Sequence, residues 1–137
     1  MLILFACSGN SPADEKYAAE VMDAFQLQEN QYKMAMQHAL NDSAAESMGH
    51  GMGIMMWSMS LFEMSEILSE LDTEGVNSDI LASVAELIQA SNDFVDLYSN
   101  ADSSTLQLDI AVKGDRVQKL KSAVKDNFLS RGLISED

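Results

Sequence analysis

The sequence predicts an all-α protein, an antiparallel four-helix bundle, and three observations carry that expectation. One proline and seven glycines in 137 residues leave too few turn signals for the many short strands of a sandwich or barrel. Apolar residues recur at three- and four-residue spacing in four successive stretches. Each stretch is bounded by helix-capping or helix-stopping residues, and the gaps are short, as between antiparallel neighbours. With 47% hydrophobic and 22% charged residues, the chain has the composition of one globular domain, placed at 11–137, behind a short leading segment at 1–10.

The first helix opens at Ser11-Pro12, with Ser11 suited to cap, Pro12 to the first helical position and Asp14 to the positive helix end. Its buried stripe is Ala18, Val21, Phe25, Gln28, Tyr32, Ala35 and Ala39, and Asn41-Asp42 interrupts it. Ser43-Ala44-Ala45-Glu46 is a capping-box pattern that starts a second helix, running to about Leu71. That helix carries two stripes: Met48, Met52, Met55, Met59 and Phe62, and Trp57, Leu61, Met64, Leu68 and Leu71. Gly75 suits a left-handed stop after it. A third helix starts at Asn77 or Ser78, with Leu81, Val84, Leu87, Ile88, Phe94, Val95 and Tyr98, and stops near Ser99-Asn100. The fourth begins at Asp102 or Ser103, carries Leu106, Ile110, Val117, Leu120, Val124 and Phe128, and ends at Gly132. Leu106, Leu108, Ile110 and Val112 also alternate as a strand does, but an isolated strand has no pairing partner, so the helix is preferred.

Twenty-two acids against eight bases give a formal net charge of −14. Such a chain repels phosphate backbones, which argues against nucleic-acid binding. Residues 1–112 hold 18 acids and two bases, Lys16 and Lys33, whereas the last 25 residues hold six bases and four acids. The division is −16 against +2. It reads either as a basic last helix paired with acidic neighbours or as an acidic surface for a basic or amphipathic partner.

Cys7 is the only cysteine, so a disulfide within the chain and a multi-cysteine metal site are excluded. It follows the apolar run Leu2-Ile3-Leu4-Phe5-Ala6 and precedes Ser8-Gly9-Asn10. Leu4-Phe5-Ala6-Cys7 resembles the lipobox of bacterial lipoproteins. The resemblance covers the first ten residues and implies cleavage before Cys7, acylation of its thiol and a lipid anchor as the membrane contact. Ser8 directly after the cysteine implies the periplasmic face of the outer membrane. Several acyl chains hold firmly, because each buried CH₂ contributes about 0.8 kcal/mol. The competing reading takes residues 2–6 as the start of a core helix.

Eight of the ten methionines lie between Met34 and Met64. Thioethers suit Cu(I) and imidazoles suit copper generally, so Met34, His38, Met48, His50 and Met52, flanking the predicted turn, form a candidate soft-metal site for Cu(I) or Ag(I). Methionine is also an adaptable core filler, and a row at helical spacing is packing by default. A third reading makes Met52, Met55 and Met59 an adaptable partner-binding groove.

Catalytic signals are weak. Ser122-Ala123-Val124-Lys125 matches S-x-x-K without its companion motifs, and no metalloprotease, nucleophile-elbow or phosphate-loop pattern occurs. The sequence therefore points to a non-enzymatic protein, a lipid-anchored acidic bundle that binds another envelope protein, with soft-metal binding as the alternative.

Overall fold

The computed structural model describes residues 10–41, 45–100 and 107–135, with side chains placed for 10–34, 55–100 and 109–135. Four helices follow in order: α1, Pro12–Asn41; α2, Ala45–Glu70; α3, Ser78–Ser99; and α4, Gln107–Ser130. The fold is the expected all-α four-helix bundle. No strand occurs among the described residues. The alternation near 110 resolves as helix, because Ile110 packs on the core while Val112 is 60% exposed. The predicted caps at Ser43 and at Asp102 or Ser103 lie outside the described residues, as does Cys7. No described helix is long and apolar enough to cross a membrane.

The chain ends of the bundle are tied by short-range chemistry. Ser11 and Asp14 form a reciprocal box: Asp14 N–H donates to Ser11 Oγ at 3.1 Å, and Ser11 N–H donates to Asp14 Oδ2 at 3.1 Å. The second oxygen, Asp14 Oδ1, accepts the N–H of Asn77 at 2.8 Å, and Asn77 Oδ1 in turn accepts the N–H of Asp79 to cap α3. One buried carboxylate thus serves two helix starts. Gly75 turns the chain between α2 and α3 at φ +80°, where a side chain is strained. Gly132, at φ +72°, closes α4 in a Schellman arrangement: Leu133 N–H donates to Phe128 O at 2.9 Å and Gly132 N–H to Leu129 O at 3.1 Å.

Consecutive helices pack closely: α1 on α2, α2 on α3, α3 on α4. The core between them holds Val21 and Phe25 from α1, Leu61, Met64 and Leu68 from α2, Val84, Leu87 and Phe94 from α3, and Val117, Val124 and Phe128 from α4, all at most 3% exposed. Burying each such side chain contributes about 1.5–3 kcal/mol for the larger ones. Trp57 meets Phe94 edge-on, with centroids 4.9 Å apart and rings inclined at 75°. Gly114 of α4 lies against both rings, leaving a Cβ there only 3.0 Å from Trp57 Cζ3 and 3.4 Å from Phe94 Cε2. The only tryptophan is therefore a packing group of the core edge.

The first and last helices approach each other less closely than the consecutive pairs, and long side chains span the gap. Lys121 Nζ donates to Gln28 Oε1 at 2.8 Å and to Glu29 Oε1 at 2.9 Å, and stands 5.3 Å from the centroid of Phe25. Gln28 Nε2 continues to Ser60 Oγ at 2.9 Å. A buried polar line thereby joins α4, α1 and α2.

Candidate functional site

An α-helix brings residues i, i+4 and i+7 to one face, so α2 presents both of its apolar stripes on different sides, and its neighbours select one. Leu61, Met64 and Leu68 are buried, with Trp57 and Leu71 packed beside them. Met55, Met59 and Phe62 are 39%, 64% and 49% exposed. Packing as the reason for the methionine row is thus corrected at Met55 and Met59. The cause is the pair of serine-bearing flanks between the stripes. Ser60 on one side bonds Gln28 of α1, and Ser65 on the other donates to Asn92 Oδ1 of α3 at 3.0 Å. Small hydroxyls let both neighbours approach α2 at its sides, and the methionine stripe is left on the outside.

That stripe floors an open groove of about 910 Å³, bounded by Met55, Met56, Met59 and Phe62 of α2, by Val95 and Tyr98 of α3, and by Gln31 of α1. Val95 and Tyr98, expected as core positions, have a second role here: each packs on the core and walls the groove. Glu63 and Glu66 stand on the rim, both exposed. Soft, rotatable thioethers beside an aromatic ring, rimmed by carboxylates, form a surface that conforms to an apolar side chain and attracts a basic one. Exposed apolar area of this kind, contiguous and bounded by polar groups, marks interaction sites.

A second, smaller cavity of about 210 Å³ lies between α1 and α4, lined by Met22, Phe25, Gln26, Glu29, Gln118, Lys121, Ser122 and Lys125. Its central cation, Lys121, is engaged by Gln28 and Glu29 and holds the bundle together. Ser122 and Lys125, the S-x-x-K pair, are exposed on an ordinary helix face. Periodicity does not mark Lys121 as a buried residue; the clue in the sequence is Gln28 inside an otherwise apolar stripe, which needs a polar partner.

Among the predicted site residues, Met55 and Met59 come together in the groove. Met34 lies on α1 with 65% of its surface exposed. The side chains of His38, Met48, His50 and Met52 lie outside the described residues. Among the described residues, no three histidine, cysteine, aspartate or glutamate side chains converge on a point where a metal could sit. No protein-family model, curated protein or solved structure matches the chain.

Proposed function

We propose that this protein is a non-catalytic interaction module of the bacterial cell envelope, tethered by a lipid on Cys7 at the periplasmic face of the outer membrane, and that it binds another envelope protein through the groove on α2. The observation that carries the reading is the exposure of Met55, Met59 and Phe62 as one apolar row above a cavity of about 910 Å³. A helix that packs on two neighbours has no stability reason to turn three large apolar side chains outward. The lipobox-like Leu4-Phe5-Ala6-Cys7 supports the tether, and the net charge of −14 supports a protein partner over nucleic acid.

The test places a photo-crosslinking side chain at Met59 and, as a control, at the exposed Ala82 of α3, in cells of a diderm host. A discrete adduct from position 59, absent from position 82 and lost with Met55→Asp, is the expected result. Identical adduct patterns from both positions overturn the groove as the binding site. Palmitate labelling that persists in Cys7→Ser overturns the anchor.

A second reading, Cu(I) or Ag(I) binding by Met34, His38, Met48, His50 and Met52, is favoured by one observation. Met34 is 65% exposed, so packing does not account for it. Cu(I) competition titration of the parent, Met34→Leu and His50→Ala decides it, because leucine keeps most of the volume and removes the soft sulfur. Stoichiometric uptake lost in both variants supports the site; no uptake by the parent removes it.

A further inference from the structure

The groove reaches α1 at Gln31, and the outward faces of α1 and α2 beside it change character along the bundle axis. The Gln28–Ser60 bond places these two residues side by side on antiparallel helices, so by counting outward Met34 lies within about one residue of the level of Met55, Leu27 of Phe62, and Asp23 of Glu66. On α1, Asp23, Leu27, Gln31 and Met34 share a face by helical spacing, and Leu27 is 41% exposed. On α2 the outer stripe runs Met55, Met59, Phe62, then Glu66 and Glu70, with Glu63 beside it. Among the residues whose side chains are described, both helices therefore present apolar groups nearer the Asn41 and Ala45 ends and carboxylates toward the opposite end. Asp23, Glu63, Glu66 and Glu70 are all exposed, and none has a salt-bridge partner among the described residues. The one base on this face, Lys16, lies further along and pairs with Glu20 at 3.9 Å.

We propose that this two-helix face docks a single amphipathic helix of another protein, apolar in one half and basic in the other. Its apolar half seats on Leu27, Met34, Met59 and Phe62. Its lysines or arginines lie along Asp23, Glu66 and Glu70. The inference rests on the interaction-module reading and adds the chemistry and orientation of the partner. Charge complementarity selects the occupant: a neutral helix leaves the carboxylate half unused, and an acidic one is repelled by it. From residue 55 to residue 70 the face is about 22 Å long at 1.5 Å per residue, which matches a partner helix of about 15 residues.

The experiment uses the full chain and three synthetic helical peptides of about 18 residues sharing one apolar half. The other half carries lysine, glutamine or glutamate. Binding is read by amide chemical shifts, and a spin label on the charged end of each peptide reports its orientation. The lysine peptide is expected to bind about tenfold tighter than the glutamine peptide at low salt, with the difference shrinking as salt rises. Its label should broaden residues near 23, 66 and 70 and spare those near 34 and 55. Glu66→Lys with Glu70→Lys should reverse the ranking in favour of the glutamate peptide. These substitutions lie on an exposed surface, and circular dichroism checks that the fold persists.

Equal binding of the lysine and glutamine peptides at this face overturns the basic half and leaves the interaction module standing. No shift of face residues with any peptide overturns both. Concentration-dependent dimerisation that shifts the same residues replaces the proposed occupant with a second copy of this chain.

Discussion

Asp14 Oδ1 accepts the backbone N–H of Asn77 at 2.8 Å while its other oxygen caps its own helix. The start of α1 and the start of α3, 63 residues apart in sequence, are thus held by one carboxylate that is only 3% exposed. Replacing it with alanine orphans the Ser11 and Asn77 N–H groups together. Asp14→Ala is expected to cost about 1–3 kcal/mol in a urea titration. Asp14→Asn, which keeps an acceptor oxygen, should cost less.

Gly114 faces a different constraint. A methyl group there gains about 1 kcal/mol in helix propensity over glycine, but it stands 3.0 Å from Trp57 Cζ3, with the Trp57 ring braced edge-on against the buried Phe94. Overpacking of a held ring costs about 1–3 kcal/mol, so Gly114→Ala should be net destabilising. The fluorescence of Trp57, the only tryptophan, reports the displacement directly.

Lys121 separates charge from packing. Lys121→Ala removes the stem as well as the bonds to Gln28 and Glu29. The Glu29 end is 56% exposed, so the loss is expected near about 1–3 kcal/mol and not at the larger values of a fully buried pair. Lys121→Met keeps the stem and should retain part of that stability. Equal losses in the two variants would assign the whole effect to the hydrogen bonds.

Tyr17 sets an alkaline limit. Burial raises its phenol above the ordinary value of 10.0, because the charged phenolate is disfavoured in the core. The folded chain therefore holds this proton more tightly than the unfolded chain. The resulting stability is complete below pH 10 and is lost as pH rises through the raised folded value. Tyr17→Phe should lose less stability than the parent above pH 10, read as the shift in urea midpoint.

Helix existence was legible because α1, α3 and α4 each carry one apolar stripe between identifiable stops. Ser11, Pro12, Gly75 and Gly132 occupy the positions that their conformational preferences dictate. What periodicity does not encode is the choice between two stripes on one helix. In α2 both rows are apolar, and the decision rests on where Ser60 and Ser65 meet α1 and α3. Helical spacing alone assigns Met55 and Met59 to packing, and only those side contacts turn them outward. The burial of Lys121 and the second bond of Asp14 were likewise hidden, since each depends on a partner 93 or 63 residues distant.

The clasp of Asn10 Nδ2 on Arg131 O at 2.6 Å makes the molecule one-ended. The chain enters α1 and leaves α4 at the same pole, so an attachment made through residues before Asn10 fixes that pole nearest its support. Met34 then stands about 33 Å further out along α1, at 1.5 Å per residue from Pro12, while Asp23 lies about halfway. A docked helix would lie along the bundle axis with its cationic end nearer the attached pole and its greasy end farther from it. Lengthening or shortening the leading segment would change how far this whole assembly can stand from its support without altering the angle between the two helices that grip it.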